Sequence, residues 1–377
     1  MVLRSFAALA FAVVVLSCAR AAAEDGYRWA IPARIPRPVV PAENPMSEAK
    51  VELGRFLFYD KRLSANGTIS CASCHQQAHA FSDPRVVPTG VTGEKHPRHA
   101  MRIVNAAYLP VLTWANPTMR SLEKQALVPM FGEHPVEMGL AGRERAILAT
   151  LRGDARYPGL FAAAFPSERD AMSLAGITRA IASFERALVS FDSPYDRYRY
   201  GGQPDAIPAA AKRGEALFFG ERVDCAHCHG GMNLTDNVMH EKLRAPEIAF
   251  HNTALFNVGG TGAYPPDNTG IMEITRDPAD MGKFRTPSLR NVAASGPFMH
   301  DGSVATLAGA LDHYAAGGRT IAGGPYAGNG SASPLRDVQL ARFSLSPAEK
   351  RDLLAFLESL TDETFLHDPR FGDPFAK

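Results

Sequence analysis

Cys71-Ala72-Ser73-Cys74-His75 and Cys225-Ala226-His227-Cys228-His229 decide how this sequence is read. Cys-x-x-Cys-His is the attachment pattern of a c-type haem. Its spacing has a mechanical cause. Two thioethers anchor neighbouring vinyl groups on one porphyrin edge, and the adjacent imidazole then lies under the iron. Cys71, Cys74, Cys225 and Cys228 are therefore expected to hold two covalent haems, with His75 and His229 as iron ligands. A zinc site built from the four cysteines would not need both histidines, and two thioredoxin-like redox pairs are the other rival.

The rest of the composition is that of an ordinary globular protein. At about 150 residues per domain, 377 residues suggest two or three domains. Hydrophobic residues make up 46% and charged ones 21%, which excludes a disordered or collagenous chain. Forty Lys and Arg balance 39 Asp and Glu, so no net field points to nucleic acid. Arg4, the uncharged run Phe6 to Leu16 and the small residues Ala21, Ala22 and Ala23 form a secretory signal, residues 1–23. That run is too short to span a bilayer. Export to the periplasm suits covalent haem attachment. Cleavage before a lipid-modified Cys18 is a rival reading, weakened by Leu16 where a small residue is usual.

The chain also repeats itself. Gly54-Arg55-Phe56-Leu57-Phe58 precedes the first motif and Gly214-Glu215-Ala216-Leu217-Phe218 the second. Phe81-Ser82-Asp83 parallels Leu234-Thr235-Asp236, and Asn105-Ala106-Ala107 parallels Asn291-Val292-Ala293. Ser121-Leu122 parallels Thr306-Leu307, each a helix N-cap. Ile177, Ile181, Phe184 and Leu188 form a helical stripe, and Ser346-Pro347-Ala348-Glu349 is a capping box. Few runs alternate as strands do. The expected fold is mostly α: two cytochrome-c-like domains, 47–200 and 205–366, each with one covalent haem. A Pro-rich extended arm, 24–46, precedes them and a tail, 367–377, follows.

The repeat serves as a ruler. Tyr314 lies eight residues past the Thr306 cap; Pro129 lies eight past the Ser121 cap. Leu307, Leu311 and Tyr314 share one helical face, so Tyr314 points toward the second haem, and a phenolate is an axial ligand for iron. A buried tyrosine bonded elsewhere, His313, or a methionine such as Met299 are the alternatives. Pro129 offers no ligand atom, so the first haem is expected to keep an open position. Peroxide chemistry there needs a group that moves a proton between two oxygens. Glu123, Gln125, Glu133, His134 and Glu137 are the candidates nearby, each also readable as a solvated charge or polar group.

Over residues 45 to 365 the chain resembles the bacterial di-haem cytochrome c peroxidase/MauG family. The resembling strings are Leu53-Gly54-Arg55-Phe56-Leu57-Phe58-Tyr59-Asp60, both haem motifs and Ser121-Leu122-Glu123-Lys124-Gln125-Ala126. Glu137-Met138-Gly139, Phe284-Arg285-Thr286-Pro287-Ser288-Leu289-Arg290-Asn291 and His300-Asp301-Gly302-Ser303 complete them. The resemblance implies that the first haem binds peroxide, with Glu137 and Gln125 as its acid–base residues and Trp114 between the haems. It implies one Ca2+ between the domains, at Asn105, Ser295 and Pro297, and Tyr314 as the second haem's ligand, since MauG-like members have tyrosine where ordinary peroxidases have methionine. Thr113-Trp114-Ala115-Asn116-Pro117 and Leu127-Val128-Pro129-Met130-Phe131-Gly132-Glu133 look most like the MbnH-type branch. That implies a periplasmic oxidase which forms a high-valent di-haem state with hydrogen peroxide. It would then oxidise an aromatic side chain, a tryptophan, on a copper-binding partner protein. The alternative is a di-haem cytochrome c peroxidase that reduces peroxide with electrons from a small redox protein. A di-haem electron-transfer cytochrome is the non-enzymatic rival, and Pro129 and Tyr314 speak against it.

Overall fold

The computed structural model describes residues 27–376. The expected signal segment and Cys18 lie outside them. Helices and short turns dominate: α1 (Glu48–Tyr59), α2 (Leu122–Gln125), α3 (Leu127–Phe131), α4 (Glu144–Arg152), α5 (Arg156–Ala164) and α6 (Leu174–Ala187) come first. Then follow α7 (Pro194–Arg199), α8 (Ala209–Phe218), α9 (Met272–Thr275), α10 (Leu307–Ala315), α11 (Pro347–Glu358) and α12 (Glu363–Leu366). Two antiparallel pairs are the only sheets among the described residues. β1 (Phe250–His251) pairs with β2 (Phe284–Arg285), and β3 (Thr320–Ile321) pairs with β4 (Gly328–Asn329). No helix among the described residues is long and apolar enough to cross a membrane.

The repeat in the sequence becomes a repeated helix crossing. α1 packs along α6 and α8 along α11. A Cβ on Gly54 would lie 2.0 Å from the carbonyl oxygen of Ala180, and one on Gly214 would lie 1.9 Å from that of Asp352. Only glycine lets the backbones approach so closely. One turn further on, the ring of Phe58 meets that of Phe184 at 5.1 Å, and the ring of Phe218 meets that of Phe356 at 4.9 Å. Burial of these stripes supplies the two main cores.

The helix starts follow local chemistry. Ser121 Oγ accepts from Lys124 N at 3.3 Å and Thr306 Oγ1 from Gly309 N at 3.0 Å. The Ser346 capping box is present, with Pro347 opening α11. Asn105 and Asn291 are again equivalent, each at φ 57° ahead of a 3-10 turn. Both reach Ser190: Asn105 Nδ2 donates to its carbonyl at 3.2 Å and Asn291 Nδ2 to its hydroxyl at 2.9 Å. Nearby, Arg290 and Asp196 form an ion pair at 2.8 Å with both side chains almost wholly buried.

Two segments pack in ways the repeat does not show. The proline-rich arm is irregular, as its composition suggests, yet it buries Ile35 and Met46, and Tyr108 Oη donates to its Pro36 carbonyl at 2.9 Å. The C-terminal segment returns to the first core. Phe365, Leu366 and Phe371 join that cluster, and Tyr59 Oη donates to the Phe371 carbonyl at 2.8 Å.

Candidate functional site

Each Cys-x-x-Cys-His segment forms a 3-10 turn on the wall of its own cavity. The repeat also positions the histidines. Phe81 and Leu234 both adopt a left-handed conformation, with φ of 57° and 51°. In each half the carbonyl of that residue faces the imidazole: His75 Nδ1 lies 2.9 Å from Phe81 O, and His229 Nδ1 lies 3.3 Å from Leu234 O. A proton on Nδ1 donates to that carbonyl and leaves Nε2 free to bind a metal. Burial lowers the pKa of His75 and pushes His229 down to about 4, so both rings are neutral, as ligation requires. Paired thiols, a neutral imidazole with a free nitrogen and a deep cavity on each side form a donor set that fits a c-type haem.

Above the first motif, Gln125 from α2, Pro129 from α3 and Glu137 line the cavity that holds Cys71, Cys74 and His75. Burial pushes the Glu137 carboxyl up to about 7. The other candidates in that segment are placed elsewhere. Glu123 is tied to Arg186 at 2.8 Å and to Asn44 at 2.8 Å. Glu133 and His134 are exposed.

Two further groups on this wall were not singled out in the sequence. His96 lies with Nε2 4.0 Å from Glu137 Oε1, and burial lowers its pKa. Nothing in the string Lys95-His96-Pro97 marks it. Glu185, on α6, has a buried Oε2 without a hydrogen-bond partner among the described residues, and burial pushes it up to about 8. A signal existed for this one, since Glu185 lies four residues past Ile181, on the apolar stripe.

In the second cavity Tyr314 sits on the wall with Cys225, Cys228 and His229. Its hydroxyl has no hydrogen-bond partner among the described residues, and burial, then the two thiols, raise its pKa. Of the alternatives, His313 turns away, its Nε2 2.9 Å from the carbonyl of Thr253. Met299 lines the same cavity and packs beside the cluster of Leu255, Phe256 and Tyr264. Pro129 lines the first cavity and Tyr314 the second.

Trp114 belongs to the walls of both cavities, and its Nε1 donates to the carbonyl of His99 at 2.8 Å. The residues expected to bind calcium are not assembled for it. Ser295 and Pro297 line the second cavity, but Asn105 lines neither. Its Oδ1 accepts from Ser190 N at 2.8 Å and its Nδ2 donates to Asn233 Oδ1 at 3.0 Å. Asn105 thus pins the chain at Ser190, as Asn291 does in the other copy. Beside Ser295 stands a side chain, that of Arg102, whose Nη1 donates to Ser295 Oγ.

Residues 48–204 match the family described as di-haem cytochrome c peroxidase. The chain is 34% identical over 361 residues to the methylamine utilization protein MauG of Methylorubrum extorquens, covering 94% of this chain and 92% of that relative. It is 34% identical over 377 residues to the cytochrome-c peroxidase IdrP1 of Denitromonas iodatirespirans, covering 96% and 94%. Among solved structures it is similar to a MauG-like protein associated with microbial copper homeostasis. That match has a TM-score of 0.90 and 51% identity, and covers 93% of this chain and 100% of the other. With its two cavities and their repeated motifs, the chain belongs to the di-haem cytochrome c peroxidase/MauG family, peroxidase-type oxidoreductases whose membership implies two covalent c-type haems.

Proposed function

We propose that this chain is a periplasmic, peroxide-dependent di-haem oxidase that delivers its oxidising equivalents to an aromatic side chain of another protein. The observation that carries the reading is Tyr314, a phenol on the wall of the second cavity with no other hydrogen-bond partner among the described residues. A hard oxygen ligand favours the higher oxidation states of iron, which suits storage of an oxidising equivalent more than acceptance of electrons from a donor. When bound, the haems supply the iron at which peroxide is split and electrons are exchanged.

The chain's own residues supply the rest. Glu137, poised near neutrality, accepts a proton from the incoming peroxide and returns it to the departing oxygen. The Gln125 carboxamide orients the peroxide from the same wall. Trp114 offers an indole to both cavities and so a short path for electrons between them. Peroxide takes up two electrons and two protons and leaves as two waters. The partner's ring gives up the two electrons, takes its oxygen from one water and releases two protons, so that one ring C–H becomes C–OH and one water is left for each peroxide. The MauG-like relative of 51% identity is associated with copper homeostasis, which makes a copper-binding protein and one of its tryptophans the proposed target.

The second reading is reduction of peroxide with electrons from a small redox protein. Relatives named cytochrome-c peroxidase, such as IdrP1, support it more directly than they support protein oxidation. The two readings share the first cavity and differ in what refills the electrons. Anaerobic addition of peroxide to the ferric protein with a candidate copper-binding partner, followed by mass spectrometry, separates them. Added oxygen on an aromatic residue supports protein oxidation. An unmodified partner, together with fast peroxide loss when a reduced small cytochrome is supplied, overturns it in favour of the second.

A further inference from the structure

Arg102 lies where the two cavities meet and contributes to the walls of both. Its Nη1 donates to Ser295 Oγ and its Nη2 to the carbonyl of Ser288, while its Nε is sealed from solvent with no hydrogen-bond partner among the described residues. No carboxylate of the described residues pairs with it. The guanidinium of Arg285, almost wholly buried, is pushed down to about 9 by burial and then by the positive charge of Arg102, with Asp236 acting in the opposite sense. Among the described residues Arg285 forms no ion pair, and Asp236 acts on it only at longer range; it donates to the carbonyls of Thr113 and Thr286 and to Met101 Sδ. Buried guanidinium groups without an ion-pair partner are unfavourable unless an anion meets them.

We propose that Arg102 is the resident cation between the two haem cavities, doing with a guanidinium of the chain what the family resemblance assigns to a calcium ion. Two observations and one chemical argument support this. Ser295, an expected ion ligand, accepts a hydrogen bond from Arg102. Asn105, another, is committed to Ser190 and Asn233. Calcium takes six to eight oxygen ligands at 2.3–2.6 Å, and N–H groups beside those oxygens supply none while repelling a divalent ion. The anions that Arg102 and Arg285 await are the propionate carboxylates that each haem carries. A guanidinium, always charged and forked, suits carboxylates better than a lysine ammonium would.

The test uses the purified di-haem protein dialysed against EGTA. Its calcium content is measured by atomic emission, and the midpoint potential of each haem is titrated with EGTA and with added CaCl2. The expected result is calcium far below stoichiometric and potentials that do not respond to either treatment. Arg102→Gln should keep both haems attached, by pyridine haemochrome assay, and shift both potentials downward together, because a positive charge facing both cavities favours the reduced irons. Arg102→Lys should recover part of that shift. Stoichiometric calcium in the EGTA-treated wild type, or potentials that move on its removal, would overturn the proposal. So would Arg102→Gln potentials equal to the wild type's. If Arg102→Gln fails to take up haem, the calcium measurement on the wild type still decides.

Discussion

His96 Nε2 and Glu137 Oε1 face each other at 4.0 Å on the wall of the first cavity. That is beyond a hydrogen bond, yet a small rotation or one bridging water would close it. Burial acts on the two groups in opposite senses, raising the carboxyl to about 7 and lowering the imidazole. Both are thereby brought toward their neutral forms.

A base must be deprotonated to act. The rate of reaction with peroxide should therefore rise with pH through about 7, the value to which Glu137 is pushed. Glu137→Gln should slow the step by about 10²–10⁴-fold and flatten the profile, with both haems retained. Stopped-flow mixing with peroxide between pH 5 and pH 9 measures both. A variant with the wild-type rate and profile would remove Glu137 from the proton path, and His96 would be the next group to replace.

Glu185 makes a different prediction, about stability. Its folded-state pKa is raised to about 8 by burial, so its contribution is fully favourable below the unfolded carboxyl value near 4.5 and is lost as pH rises through about 8. Glu185→Gln keeps the shape and cannot ionise. The variant should gain stability over wild type above pH 8, on the order of a few kcal/mol, and little below pH 5. Urea unfolding at the two ends of that window checks it; an equal effect at both ends would mean the carboxyl is not the ionising group.

Trp114→Phe removes the hydrogen bond to the His99 carbonyl and keeps most of the packing. The cost in stability should be about 1 kcal/mol. If the indole links the cavities, both ferric spectra should stay unchanged while charge sharing after peroxide addition, read in the near infrared, weakens. Unaltered sharing would leave Trp114 as a core residue that happens to touch both walls.

At the second cavity, Tyr314→Met should raise the reduction potential of the second haem and make it reducible by small electron donors. Tyr314→Phe should leave that iron open to water. Redox titration and ferric absorption spectra of the three proteins distinguish these outcomes. A Tyr314→Met protein with the wild-type potential would mean the phenol is not a ligand, and Met299 on the same wall would replace it as the candidate.

The paired glycines predict matching defects. Gly54→Ala and Gly214→Ala each force a methyl group to within 2.0 Å of a helix carbonyl, so the crossing must open. Each should cost about 1–3 kcal/mol by overpacking, with thermal unfolding as the measurement. Unchanged melting in either variant would show that its helix pair can slide without loss.

The haem motifs, the helix caps and the repeat were legible in the amino-acid sequence because each is local chemistry. Two cysteines and a histidine at fixed spacing, a serine three residues before its partner N–H, or an eight-residue step along a helix need no knowledge of the rest of the chain. Pro129 and Tyr314, each eight residues past its cap, line the walls of different cavities, since helical geometry carries a residue's direction over two turns. The same repeat makes Asn105 and Asn291 structural twins, each reaching Ser190.

Tertiary structure alone decided what long-range packing brings together. His96 reaches Glu137 from 41 positions away, across loops that interrupt α2 and α3, so no single periodicity constrains their relative direction. The C-terminal segment enters the first core through contacts such as Tyr59 with the Phe371 carbonyl, which no spacing rule anticipates. Whether a buried arginine finds a carboxylate also depends on every neighbour at once. Arg102 reads in the sequence as one positive charge among forty, and only the fold sets it on the walls of two cavities with no ion-pair partner among the described residues. Local bonding is written in neighbouring residues, whereas the environment of a buried charge is written in all of them.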